Sequence, residues 1–191
     1  MDKPRLVKQK QSREFFGHHI LLHAAGLQLD AAKQLEAGRF NNCLAAMTMS
    51  ALAVEALLNA VGSKVANDWE CFERLNPPEK LWELQRELGF TYEPTKNPWS
   101  TLQWLAGFRN DIAHAKPELV EELKHFVEPA PNKLLFGKPL SKLVQEITLG
   151  NASRSFEAVQ SLKRILTDAL PVARRSGIYA DAWSGSTEEA E

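Results

Sequence analysis

The stretch NNCLAAMTMSALAVEALLNAVGSKVA, residues 41–66, has the clearest periodicity in the chain. Its apolar side chains recur in alternating steps of three and four residues, which places them on one face of an α-helix. These side chains are Leu44, Met47, Ala51, Val54, Leu58, Val61 and Val65. Leu52 and Leu57 make other faces of the same helix apolar. A helix that is apolar on several faces is typical of the centre of a helical bundle.

Helical patterns continue on both sides of this segment. The sequence predicts further helices over 14–37, 79–88, about 100–116 and 152–170, and a short helix near 140–148. Prolines within 117–150 predict that this part is an irregular insertion. No segment shows the alternation expected of a β-strand. We therefore expect an all-α fold, a single helical domain of about four to six helices over residues 14–170.

Two of these helices carry specific expectations. The first has an apolar face at helical spacing, formed by Phe16, Ile20, His23 and Leu27. Gly38 is expected to end this helix, because glycine commonly follows the last helical turn. Asn97 or Ser100 is expected to cap the helix that stops before Pro117.

Composition limits the class of protein. The 191-residue chain has a formal net charge of −1, so any contact with RNA has to be local. Cys43 and Cys71 are too few for a disulfide framework, which indicates a reducing compartment and favours the cytoplasm. No uncharged run reaches the length of about eighteen strongly apolar residues that a membrane span needs, so we expect no membrane contact. The basic residues 1–13 and the acidic residues 171–191 are predicted to be flexible ends, with a binding arm as the alternative.

The segment FRNDIAHAKP, residues 108–117, places four chemically active side chains within two helical turns. They are Arg109, Asn110, Asp111 and His114. On an α-helix the step from Arg109 to His114 turns about 500°, so their Cα atoms lie roughly 140° apart around the axis. His114 faces Asn110 and Asp111 one turn back. A second copy of the helix would bring Arg109 and His114 together more easily than a single copy.

Glu55 is the single charged residue between Arg39 and Lys64. A carboxylate in so apolar a helix is costly unless it is paired or faces a polar groove. We predict that Glu55 pairs with Arg109 and holds it in place. The alternatives are that Glu55 points out of the bundle or meets a lysine for structural reasons.

Together, the segments AVEALLN (53–59) and FRNDIAH (108–114) resemble the HEPN superfamily, named for higher eukaryotes and prokaryotes nucleotide-binding domains. Its signature is an arginine followed, after about four to six residues, by a histidine, with an amide, acid or imidazole preferred directly after the arginine. Arg109, Asn110 and His114 match this pattern in order. Arg13 and His18 have the same spacing, but a glutamate follows Arg13 and no comparable apolar run precedes it.

The resemblance implies a helical bundle that forms a homodimer and, in active members, cuts RNA without a metal. Arg109 would neutralise charge on the phosphate, and His114 would exchange the proton when the 2′-hydroxyl attacks. Asn110 would donate to a phosphate oxygen or orient the imidazole, and Glu55 and Asp111 would support the site. A toxin or defence role, with an antitoxin or nucleotidyltransferase-like partner, would fit such an endoribonuclease. The alternative is a silent dimeric module that binds a nucleotide or a partner protein.

A competing metal site involves His19 and His23, which lie four residues apart, with His18 and Glu55 to complete it. Neither a His-Glu-x-x-His motif nor a paired-carboxylate motif supports this site, so we expect no metal and no cofactor. Four tryptophans are predicted to be core and edge packing residues, with base stacking as the alternative for one of them. They are Trp69, Trp82, Trp99 and Trp104.

Overall fold

A computed structural model describes residues 7–123, 138–180 and 183–189. The chain is mostly helical, at 65%, which confirms the predicted all-α bundle in a single domain. The helices of the described residues are α1 (Gly17–Gln34), α2 (Arg39–Val65), α3 (Pro77–Leu88), α4 (Trp99–Ala113), α5 (Lys142–Glu146) and α6 (Leu149–Ala169). Two short 3₁₀ turns, Trp69–Cys71 and Val172–Arg174, follow α2 and α6.

Helix α2 is the centre of the bundle, as its periodicity predicts. It packs against α1, α3, α4 and α6, and its buried side chains come from several faces. Gly62 lies under the Trp69 ring, and a Cβ at this position would overlap that ring. By length and composition α2 could also cross a membrane, with a mean hydropathy of 1.6 over its most apolar window. The core helix of a soluble protein can have the same length and composition, and the cytoplasmic location stays a prediction.

The buried face of α1 differs from the predicted one. Ile20 and Leu27 are 54% and 57% exposed, and His23 is exposed as well. Of the predicted face, Phe16 alone is buried, and it precedes the helix. The helix instead packs on a second stripe with the same spacing, formed by His18, Leu22, Ala25, Leu29 and Ala32.

The ends of the helices correct two further expectations. Helix α1 ends at Gln34, and Gly38 stands before α2 with a φ of 78°, a left-handed conformation that glycine adopts readily. Helix α4 has no side-chain cap, because Asn97 Oδ1 accepts hydrogen bonds from the hydroxyls of Ser100 and Thr101 instead of a backbone N–H. Gly89 does close α3, as predicted, with a φ of 73°.

The chain also contains two strands that its pattern does not predict. Strand β1 (Val7–Arg13) pairs antiparallel with β2 (Trp183–Glu189), so the expectation of no strand is wrong for these segments. The register places Lys8 of the basic end opposite Glu188 of the acidic end.

The region 117–150 holds one short described helix, α5, close to the predicted position at 140–148. Residues 124–137 of the predicted insertion lie outside the described residues. Helix α5 contacts α4, which places it beside the carboxyl end of the motif helix.

Candidate functional site

Helix α4 carries the Arg109–His114 motif on the surface of the bundle. Its buried face includes Leu102, Leu105 and Phe108, which are at most 2% exposed. The polar side chains of the motif directly follow Phe108 in sequence, so they lie at the edge of the buried core. The exposed positions of the helix and its cap are Gln103, Gly107, Asn110, Asp111, Ala113 and His114.

Arg109 is held in one orientation by two neighbours. Its Nη2 lies 3.6 Å from Oε2 of Glu55, and its Nη1 donates a 2.9 Å hydrogen bond to Oδ1 of Asn110. The predicted Glu55–Arg109 pairing is therefore present, as an ion pair slightly longer than a direct hydrogen bond. The Arg109 side chain is 41% exposed, so its remaining N–H groups are accessible to a ligand.

Glu55 also meets a lysine, the outcome that we considered as its structural alternative. Lys80 is fully buried, and its Nζ donates to Oε1 of Glu55 at 3.2 Å and to Oδ1 of Asn59 at 2.8 Å. The same Asn59 oxygen accepts a 3.4 Å hydrogen bond from Nε1 of Trp69. A continuous polar chain thus runs from Trp69 in the core to Arg109 at the surface.

His114 stands at the carboxyl end of α4. Its backbone N–H donates to the Asn110 carbonyl at 2.9 Å, which ends the helix, and its side chain is exposed. Within the described residues, no hydrogen bond or ion pair engages the imidazole. The ring lines a groove of about 530 Å³ that also contains Asp111 and, from α5, Lys142 and Glu146.

The two ends of the motif open into different grooves. Arg109 lines a groove of about 450 Å³ between α3 and α4, whereas His114 lines the groove beside α5. Asn110 lies on the ridge between them and lines both grooves. This agrees with the roughly 140° that separates Arg109 from His114 around the helix axis. One chain therefore does not turn both groups toward one cavity.

Two of the competing histidines, His18 and His19, have structural roles. His18 is fully buried, and its Nε2 hydrogen-bonds to the Ile178 carbonyl at 3.2 Å, so it does not form a surface site with Arg13. His19 hydrogen-bonds to the Gly177 carbonyl at 2.7 Å. These bonds join α1 to the segment after α6. In the described parts of the chain, no three His, Cys, Asp or Glu side chains are grouped to hold a metal ion.

Sequence reasoning missed two residues of the site. Lys80 lies beside Leu81 and one turn before Leu84, both buried, and this spacing on an apolar face was the signal that it points inward. Trp82 was predicted to be a packing residue, yet its side chain is 49% exposed in the groove that Arg109 lines. Nothing in the local sequence distinguishes Trp82 from the buried Trp69 and Trp99.

Comparisons with family models, with curated proteins and with solved structures found no match for the chain. The candidate site therefore rests on its own geometry, and the HEPN resemblance stays a prediction. The class that the structure defines is an all-α helical bundle with a polar motif exposed on α4.

Proposed function

We propose that the protein is a metal-independent endoribonuclease of HEPN type that acts as a homodimer. The observation that carries this proposal is the state of the α4 motif: an arginine fixed by an ion pair, an exposed amide and an exposed histidine follow one another on one surface helix. Such a set supplies positive charge, a hydrogen-bond donor and a proton carrier.

Arg109 suits the role of phosphate ligand. Glu55 and Asn110 each engage one side of its guanidinium, which limits the rotamers that a long arginine side chain otherwise samples. The accessible N–H groups then bind a phosphate oxygen at little further entropic cost. Negative charge that grows on the phosphoryl oxygens during attack is stabilised by this fixed cation.

His114 suits the role of proton carrier, because its exposed imidazole has one ring nitrogen that can accept a proton and one that can donate a proton. In the proposed reaction the RNA 2′-oxygen bonds to the adjacent phosphorus while the bond from phosphorus to the 5′-oxygen breaks. The neutral imidazole of His114 accepts the proton of the 2′-hydroxyl, and the imidazolium so formed gives this proton to the leaving 5′-oxygen. The products are a 2′,3′-cyclic phosphate and a 5′-hydroxyl, and no metal or redox partner takes part.

The separation of the two grooves supports a dimeric site. Arg109 and His114 of one chain face different cavities, so a shared phosphate needs Arg109 of one subunit and His114 of the other. A two-fold axis near Asn110, which borders both grooves, would create two such sites at once.

The test is cleavage of single-stranded RNA by purified protein in the presence of a chelator. We expect products with 2′,3′-cyclic phosphate ends, and a rate that falls about 10²–10⁴-fold in His114→Ala. Arg109→Ala should lose about 10²–10³-fold, the usual effect of removing a charge-stabilising donor. Matched controls are His23→Ala, an exposed histidine on α1, and Arg86→Ala, an exposed arginine on α3. A requirement for divalent ions, or equal rates in all four variants, would show that the protein is not this nuclease.

A further inference from the structure

The groove between α3 and α4 contains an exposed tryptophan whose ring is held in place. Trp82 is 49% exposed, whereas Trp69 and Trp99 are 4% and 5% exposed. The Trp82 ring meets Tyr92 edge-on, with centroids 5.4 Å apart, and Tyr92 meets Trp99 edge-on at 5.2 Å. The buried rings fix the orientation of Trp82 and leave much of its surface accessible. This is the arrangement of a stacking platform.

Gly107 forms part of the same groove, on α4. It lies in the helix interior with an ordinary negative φ, and a Cβ built there meets no atom within 4 Å. The packing of the chain therefore does not require glycine, although glycine weakens a helix interior relative to alanine. The missing side chain leaves room for a flat group to approach the backbone of α4.

The polar groups of the groove favour a ligand with a single phosphate over a ligand with several. Its two carboxylates are already engaged, Glu55 by Lys80 and Arg109, and Glu79 by the backbone N–H of Asn76. Arg109 is the cation that lines the groove. A run of several phosphates would meet these carboxylates without enough compensating positive charge, whereas a base with a single phosphate near Arg109 would not.

We propose that this groove is a nucleobase pocket for single-stranded RNA. Trp82 stacks on the base, the exposed amide of Gln103 hydrogen-bonds to the base edge, and Gly107 gives the base access to α4. The phosphate of that nucleotide reaches Arg109. The volume of about 450 Å³ lies within the range of about 300–1,000 Å³ that is usual for small-molecule sites. This inference rests on the proposed function for the presence of RNA at α4, and it adds where a base binds.

The test separates base binding from cleavage. The probe is a short, dye-labelled 2′-O-methyl RNA, which has no free 2′-hydroxyl and is not cut, and its binding is measured by fluorescence anisotropy. Trp82→Ala should weaken binding roughly 5- to 100-fold, the range found for the loss of one stacked base. Trp82→Phe should lose less, because it keeps an aromatic face. The matched control is Tyr179→Ala, which removes an aromatic side chain that is 74% exposed beside α6, and it should bind as the wild type does.

A double-mutant cycle identifies the base as the group that Trp82 contacts. An abasic position in the probe should weaken wild-type binding by about the same factor as Trp82→Ala, and should cost the Trp82→Ala variant nothing further. The affinity for free nucleoside monophosphates is measured in a separate experiment. If they bind as tightly as the oligonucleotide, the source of the base is a free nucleotide and the RNA assignment is overturned.

Gly107→Ala gives a second variant that does not endanger the fold. It should raise the melting temperature and weaken probe binding, because its Cβ occupies the space left for the base. Equal binding by wild type, Trp82→Ala and Gly107→Ala overturns the pocket, even if His114-dependent cleavage is observed. Loss of the dimer in Trp82→Ala, seen by sedimentation, also overturns it, since Trp82 would then be a subunit contact. If the wild type binds the probe in a Trp82-dependent way but does not cleave RNA, the base pocket is supported and the proposed endoribonuclease activity is overturned.

Discussion

The Glu55 carboxylate lies 3.6 Å from the Arg109 guanidinium through one oxygen, and its other oxygen accepts a 3.2 Å hydrogen bond from buried Lys80. One carboxylate on the central helix therefore joins a cation on α3 to a cation on α4. The position of the proposed phosphate ligand depends on a lysine that no solvent reaches. Stability and the proposed function are therefore coupled at Glu55.

Replacing Glu55 should therefore affect both properties. Glu55→Gln leaves the buried Lys80 ammonium without its carboxylate, and we expect a loss of about 1–3 kcal/mol in the free energy of unfolding, less than for a wholly buried pair because Glu55 is partly exposed. RNA cleavage should also fall, though by less than in Arg109→Ala, because the arginine remains but loses its anchor. Urea denaturation and the cleavage rate measure the two effects.

The matched control for Glu55→Gln is Glu83→Gln, which breaks the ion pair between Glu83 and Arg86 on the surface of α3. This pair should contribute at most about 1 kcal/mol, since exposed ion pairs contribute little. Equal losses in the two variants would show that the Lys80 contact does not depend on the Glu55 charge.

Two glycines in helix interiors should respond in opposite ways to alanine. Gly62→Ala forces a Cβ into the Trp69 ring, and we expect a loss of about 1–3 kcal/mol of stability from overpacking. Gly107→Ala meets open space and should gain about 0.5–1 kcal/mol from improved helix propensity. Thermal denaturation of both variants is the measurement. A destabilised Gly107→Ala would mean that its surroundings are more crowded than the structure shows.

The sequence located the helices well but did not select the buried face of α1. Both stripes of this helix have helical spacing and both carry large aliphatic side chains, Ile20 and Leu27 on the predicted stripe and Leu22 and Leu29 on the other. The structure buries the other stripe, in which Ala25 and Ala32 are fully buried against the bundle. Small side chains let two helices approach closely, and this advantage depends on the shape of the partner helix α2. Periodicity alone carries no information about that shape.

The geometry of the α4 motif and one contact between helices were predictable from the sequence, whereas a second contact between helices was not. The separation of Arg109 from His114 follows from helix geometry, and the structure places them in different grooves. The Glu55–Arg109 ion pair was inferred from a lone charge on an apolar helix. The contribution of Lys80 needed the packing of α3 on α2, which one sequence does not specify.

Alkaline pH should destabilise the fold. Burial raises the pKa of the Cys43 thiol above its ordinary value of 9.0, although the nearby Arg39 lowers it in part, and burial raises the pKa of the Tyr92 hydroxyl above 10.0. The folded protein thus keeps protons that the unfolded chain has already released. Their contribution to stability is complete below the unfolded pKa values and is lost as the pH rises through the folded ones.

The measurement is urea denaturation at about pH 8 and about pH 10.5, with Cys43→Ala as the comparison. The wild type should lose stability between these values, and Cys43→Ala should lose less over the same interval, although its buried cavity makes it less stable at the lower pH. An equally steep decline in both proteins would exclude the thiol as a cause.

Mixing two inactive variants tests whether the active site is shared between subunits. Arg109→Ala and His114→Ala should each be inactive as homodimers. When the two proteins are mixed and allowed to exchange subunits, a mixed dimer contains one site with Arg109 from one chain and His114 from the other. About half of the dimers are mixed and each has one intact site, so we expect about a quarter of the wild-type activity per chain. Sedimentation at micromolar concentration checks that both variants still form dimers. If the dimers exchange subunits but no activity returns, while the wild type cleaves RNA in chelator, the reaction uses Arg109 and His114 of the same chain and the shared site is wrong.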